Sequence, residues 1–421
     1  MWETLRNVWR VPELRKKVLY TFFMLLIFRL VSAIPTPGVR PISLEGMGVF
    51  DLMNMMSGGS LSQMTIMAMG ISPYINASII MQLLCIAIPA LERLQKEGGE
   101  EGKKKINQIT RIVTVALAVL QAIGIITLLG GYVYNDFWSK LLVGIVMAGG
   151  TALAMWIGER ITKNGVGNGI SLLIFVGIVS GLFSYLGSTF LGIFNGAEGA
   201  IVNFLLSVVA IVVILVVVTI VDMSERRIAV QYAKRVVGRK MYGGQSTHIP
   251  MKLLSVGVLP LIFAFSFMAF PGTLITIIGG ANSGAAQWWQ ANMTANFQNG
   301  NFPLGYLLVT TLLIIAFTYF YASISFNPQD IAKNIQQQGG HIPGIRTGTK
   351  TVDYLARTSK RLCLFAALFL AVMNLIATLL SGIMNIPLGA SSVLIAVSVA
   401  LETIRQLESQ LVMRNYKGFL G

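Results

Sequence analysis

The side chains most often recruited for chemistry are scarce in this chain. Among 421 residues there are two histidines, His248 and His341, and each stands directly before Ile-Pro in a polar stretch. The two cysteines, Cys85 and Cys363, lie inside apolar runs, where a thiol behaves as a small hydrophobe rather than a disulfide partner or metal ligand. A zinc hydrolase would show H-E-x-x-H, a serine hydrolase G-x-S-x-G and an ATPase a glycine loop with its lysine; none occurs. The cluster Gly165-Val166-Gly167-Asn168-Gly169 has no lysine after it and no βαβ frame, so it predicts a tight turn into a helix, not a phosphate cradle. Asn292-Met293-Thr294 fits the glycosylation acceptor pattern on three residues alone. Neither enzymatic activity nor a metal or cofactor is expected.

The elements that carry these residues are dominated by grease. Apolar residues make up 54% of the chain and charged ones 12%, against about 25% charged in soluble proteins. No Asp, Glu, Lys or Arg occurs in the 77 residues 253–329, nor in the 40 residues 362–401. A bilayer crossing takes roughly 20 apolar residues, so each gap holds two. Charge-poor runs predict ten spans at 18–34, 66–90, 112–131, 141–157, 169–190, 201–221, 253–278, 304–326, 362–383 and 387–401. They are read as helices because lipid offers no partner for free backbone amides. The last is short and is expected to continue past Glu402 and Arg405, whose long side chains can snorkel. The first lacks an A-x-A-like cleavage site and is read as retained.

The net charge of +15 has a definite location. Of 32 Lys and Arg, 29 fall in the tail to residue 17, in 91–111, 158–168, 222–252 and 327–361, and in the C-terminal tail. The opposite segments hold only Arg40 and Lys140, so both termini are expected in the cytoplasm. Arg29 is the one charge inside a span, in its outer half, where snorkelling is the plainer reading than a proton relay. The other in-span polar residues are mild: Asn76, Gln82, Gln121, Thr151, Ser266, Thr310, Thr311 and Asn374, suited to bonding neighbouring helices. Five spans per half would set the halves in opposite orientation, as inverted repeats. Residues 52–64 are too polar and glycine-bearing for a span, and read either as a re-entrant element or as a loop on the headgroups.

Residues 57–84, SGGSLSQMTIMAMGISPYINASIIMQLL, resemble the SecY family of protein-conducting channels. So do AIPTPG at 33–38, GNGISLLIF at 167–175, ERRIAVQYAKRVVGRKMYGGQSTHIP at 225–250 and FNPQDIAKNIQQQGGHIPGIRTG at 326–348. The blocks are ordered along the whole chain and place it with bacterial members. The resemblance implies an all-α membrane protein of ten transmembrane helices in two inverted five-helix halves, 1–190 and 191–421. It implies a channel that passes unfolded secretory polypeptides across the plasma membrane and releases membrane segments sideways into lipid.

The family's apolar constriction would fall on Ile71, Ile75, Ile170, Ile174, Ile262 and Ile395, and its plug on about 49–64. A lateral gate would open between the second and third spans on one side and the seventh and eighth on the other, with Asn76 and Gln121 as polar residues of the seam. The loops 222–252 and 327–361 would dock the SecA motor or the ribosome, with Arg235, Arg239, Lys240 and Arg346 as contacts. SecE-like and SecG-like membrane subunits, substrates bearing signal sequences and the lipid bilayer complete the expected partners. Leu254 stands where the family usually has Asn ahead of the turn into the seventh span. The competing class is a secondary solute transporter with inverted repeats, which would need a charged midplane site that the sequence lacks.

Overall fold

The computed structural model describes residues 6, 8–39, 54, 57–128, 136–195, 199–232, 235–237, 240–242, 246–254, 257, 259–280, 283–294, 304–384 and 390–417. The helices of the first half are α1 (Pro12–Val31), α2 (Ser72–Ala87), α3 (Pro89–Lys96), α4 (Gly99–Leu128), α5 (Phe137–Asn164) and α6 (Gly169–Phe194). Then follow α7 (Ala200–Met223), strands β1 (Glu225–Tyr232), β2 (Arg235–Val237), β3 (Lys240–Tyr242) and β4 (Ser246–Lys252), and α8 (Leu259–Gly279). The remainder is α9 (Gly284–Asn292), α10 (Leu304–Ser325), α11 (Pro328–Gln337), β5 (Gly340–His341), α12 (Thr349–Met384) and α13 (Ala390–Lys417).

Each of the ten predicted spans coincides with a helix: α1, α2, α4 to α8, α10, α12 and α13. Among the described residues six helices are long and apolar enough to cross a bilayer alone, and α2 with α3 would make a seventh. Large apolar side chains point outward, on α7 for instance Ile201, Leu205, Val209, Val212 and Val216. So broad an apolar exterior belongs in lipid.

Several helices run beyond the predicted spans, α4 from Gly99 and α12 from Thr349 for instance, and the second span differs at both ends. The second span was set at 66–90, but α2 begins only at Ser72, because residues 57–71 form turns rather than helix. It ends at Ile88, which is extended at φ −108° and ψ 111°, and α3 departs at a bend of 105°. Pro89 causes this, since the residue before proline is pushed out of the α region. At the other end, α13 runs on past Glu402 and Arg405 to Lys417, as its short apolar length required.

The two halves share four helix pairings, to which the first half adds α1 on α5. In the first, α2 packs on α4, α4 on α5, α5 on α6, and α1 on α6. In the second, α8 packs on α10, α10 on α12, α12 on α13, and α7 on α13. Second against third, third against fourth, fourth against fifth and first against fifth recur in both, and five crossings per half make the repeats inverted. The halves meet where α8 lies against α2 and α4, and where α6 lies against α7 and α13.

The polar segments 222–252 and 327–361 fold together. β1 runs antiparallel to β4 from the pair Glu225 and Lys252 to the pair Gln231 and Ser246, and β5 joins β1's other edge at Gln231 and Tyr232. Alternation along β1 buries Ile228 and Val230 against Met251, Ile335, Ile342 and Leu355. Gly340 is needed in β5, because a Cβ there would lie 2.8 Å from the ring of Tyr232. Where α7 runs into β1, Arg405 of α13 reaches Asp222 through its carboxylate at 3.0 Å and its carbonyl at 2.6 Å.

Candidate channel constriction and gate

The entry of α6 shows how local sequence sets the site. Asn168 caps the helix, its Oδ1 accepting from the amides of Ile170 at 3.1 Å and Ser171 at 3.4 Å. Gly167 before it takes φ +79°, a left-handed conformation that glycine adopts without strain. The hydroxyl of Thr21 on α1 accepts from Val166 N at 3.0 Å, and that of Thr162 on α5 accepts from Gly169 N at 2.9 Å. The glycine cluster is thus a helix-start turn, as its missing lysine implied. It fixes the start of α6, which carries Ile170 and Ile174. Asn168→Ala is expected to cost about 1 kcal/mol, read as a thermal midpoint about 2 °C lower for the purified protein in detergent.

Ile71, Ile75, Ile174, Ile262 and Ile395 share one buried apolar cluster, each 3 to 6% exposed. Ile170 packs against that cluster half-buried. They come from α2, α6, α8 and α13, two helices from each half, so the cluster spans the seam between the repeats. Ile71 is the N-cap of α2 rather than a helical residue, yet Ile75 N donates to its carbonyl at 3.1 Å, so the two still follow one another along one face. Ile174 lies one turn beyond Ile170 on α6. Ile170 stands at the margin: its Cγ1 would be 2.9 Å from a Cβ on Gly158 of α5. It also lines a cavity of about 600 Å³ with Tyr74, Arg111, Trp156 and Glu159, in which Arg111 grips Glu159 at 2.6 and 2.7 Å. The same cluster holds Phe28, Ile157, Val218, Leu261, Ile314 and Leu370, so the isoleucines are part of the bundle's buried apolar core.

Residues 57–70 form turns that are largely buried against the helices, with Gln63 exposed. Ser57, Ser60, Leu61, Met64 and Thr65 are all buried. The turn bonds to itself: Ser60 Oγ donates to Ser57 O at 2.8 Å, and Ser62 N to Asn54 Oδ1 at 2.9 Å. It is stitched to the end of α1 by Thr36 N to Met64 O at 2.9 Å and Ile66 N to Ile34 O at 3.0 Å. Gly150 of α5 lets this backbone pass, since a Cβ there would collide with Ile66 O. Leu61, Met64, Ala68 and Met69 pack on α4 and α5, while Met67 joins the isoleucine cluster. Of the expected plug residues 49–64, positions 49–53, 55 and 56 lie outside the described residues.

Of the two residues expected at the gate, Asn76 on α2 is 5% exposed and Gln121 on α4 is 2% exposed. The Oε1 of Gln121 is buried without a hydrogen-bond partner. α8 packs on both helices, which places these residues on the helices flanking the contact between the halves. Leu254 is buried in the isoleucine cluster as an apolar residue.

Arg346 is exposed, on a turn held by Ile345 N to Ile342 O at 3.0 Å and by Thr351 Oγ1 to its own carbonyl at 3.0 Å. Arg235 in β2 pairs with Tyr242, and Lys240 in β3 pairs with Val237, which puts both on one ribbon. Arg239 lies outside the described residues. Sequence reasoning had missed Thr21, Thr162 and Gly150, which position the site without carrying any motif. Asn168 alone had a local sign, an N-cap type ahead of an apolar run.

Known proteins match this architecture along its length. The SecY family model matches residues 65–404. The protein translocase subunit SecY of Thermus thermophilus is 42% identical over 98% of this chain and 96% of its own. That of Bacillus subtilis is 41% identical over the whole of both. Among solved structures, a protein-conducting channel superposes with a TM-score of 0.68 at 18% identity, covering 93% of this chain and 91% of the other. Sec61 from the canine ribosome-channel complex gives 0.65 at 17% identity, covering 93% and 91%. With two inverted halves of one helical bundle, a family model matched over most of its length and relatives above 40% identity from end to end, the chain belongs to the SecY family of protein translocase channel subunits.

Proposed function

We propose that the six isoleucines form the gasket of this translocase channel, closing it to ions at rest and yielding to an unfolded polypeptide in transit. The observation that carries this reading is that five of them, from four helices of both halves, are buried in one apolar core cluster, with Ile170 packed against it. A wall that must pass every kind of side chain should bind none strongly, and an apolar constriction excludes water when closed. Charged walls would hold substrates of opposite sign, and a solute transporter would need ionisable groups at this level.

The buried turn 57–64 is the plug, seated between α1, α4, α5 and α6 and tethered through residue 65. The seam of α8 on α2 and α4 is the lateral gate through which hydrophobic segments leave for lipid. Gln121 supports that role. A buried carbonyl oxygen without a partner costs about 1–3 kcal/mol, so the closed seam is held less tightly than an apolar one. The surplus of Lys and Arg in alternate segments sets both termini and the β1–β4–β5 platform in the cytoplasm of a bacterium. There Arg235, Arg239, Lys240 and Arg346 meet the SecA motor or the phosphate backbone of ribosomal RNA. The canine relative is solved in a ribosome-channel complex, which supports the second of these. SecE-like and SecG-like subunits cover part of the apolar exterior.

Reconstitution tests the whole reading. Proteoliposomes holding this chain, a SecE-like subunit, SecA, ATP and a secretory preprotein should accumulate protease-protected preprotein. Protection no greater than in liposomes without the chain would refute it.

A further inference from the structure

The single ionised side chain within the first span does not turn to lipid headgroups. Arg29 lies two residues before the end of α1, close enough to an interface for its long side chain to reach out. Instead it is half-buried, and its Nη1 donates to the carbonyl of Gly58 at 3.2 Å. Gly58 is held from the other side by α6. A Cβ on it would sit 2.8 Å from Arg29 Nη1, 3.0 Å from Gly177 O and 3.2 Å from Gly177 Cα. Its φ of +69° also suits glycine alone. Close by, Ser60 Oγ lies 3.4 Å from Ser32 O, a weak second contact between the turn and α1. A membrane-buried guanidinium is costly unless its donors are used, and a backbone carbonyl of the plug uses one.

We propose that Arg29 is the latch of the closed channel, a positioning residue that clasps the Gly58 carbonyl and seats the 57–64 turn between α1 and α6. Opening requires the clasp to break. The proposal rests on reading that turn as the plug. A hydrogen bond from a charged donor is worth roughly one to two decades in an equilibrium, so its loss multiplies the unseated population by at least about ten. The guanidinium fork, not charge alone, makes the contact, so lysine replaces it only in part.

The test is the resting ion conductance of the channel, reconstituted with its SecE-like subunit in planar bilayers. Arg29→Met is expected to leak about tenfold more than wild type and Arg29→Lys less than that. Deleting residues 57–64 should leak as well, and Arg29→Met added to that deletion should leak no further. If the deletion leaves the channel sealed, the plug reading fails. If the deletion leaks while Arg29→Met stays tight, the latch alone is overturned. Additive leaks also overturn it, since Arg29 would then act elsewhere. Should Arg29→Met fail to assemble, Gly58→Ala pushes a methyl into Nη1 and must leak in the same way; a tight Gly58→Ala channel overturns the proposal.

Discussion

Ile75→Asn and Ile395→Asn each raise the resting ion conductance of the reconstituted channel by about 10- to 100-fold. They also let preproteins with weakened signal sequences cross. Both side chains are almost wholly enclosed, at 4% and 3% exposure, among the apolar side chains of the core. An amide placed there without hydrogen bonds costs about 1–3 kcal/mol on the scale of protein substitutions. Water entering the constriction removes that cost, so the hydrated and open states gain what the closed state loses. The weakened closed state in turn demands less of a signal sequence, which explains the second phenotype. The measurement is single-channel recording beside export of a preprotein with a defective signal. A pair of variants as tight as wild type would take these isoleucines out of the gasket.

Arg346→Glu lowers SecA-driven translocation about a hundredfold and leaves the resting seal and thermal midpoint unchanged. Arg346 is exposed, while the turn that presents it is anchored by the buried Ile342 and by the hydroxyl of Thr351. Reversal therefore changes two units of charge at a fixed position and touches nothing in the core. Comparing translocation at low and high salt separates docking from folding, because a screened contact depends on ionic strength and a packing defect does not. Normal export by the variant would remove Arg346 from the docking surface.

Much of this was open to sequence reading because membrane insertion is governed by composition. Charge-poor runs, among them the gaps at 253–329 and 362–401, predict ten spans, and each coincides with a helix. What stayed hidden is what depends on contacts between distant residues. Ile66 looked like the start of a helix, since its neighbours are apolar; the structure spends residues 57–71 on turns because the chain must double back beneath α1. Thr21 and Thr162 carry no motif, yet their hydroxyls hold the start of α6 from two other helices. Arg29 was visible as an oddity, but its partner is a backbone carbonyl, which no side-chain pattern reveals. The isoleucines were singled out by family resemblance alone, since branched apolar residues on a membrane helix are otherwise interchangeable to the eye.

β5 adds only two residues to β1, but it ties the segment after α10 to the segment after α7. Four helices, α7, α8, α10 and α12, are therefore moored to one small raft of strands, and Arg405 ropes α13 to the end of α7 at Asp222. A partner that pushes on either loop loads all five together. Mechanical work delivered at the platform is shared across the second half of the bundle instead of prising one helix loose, so a single platform can serve partners that grip it at different points.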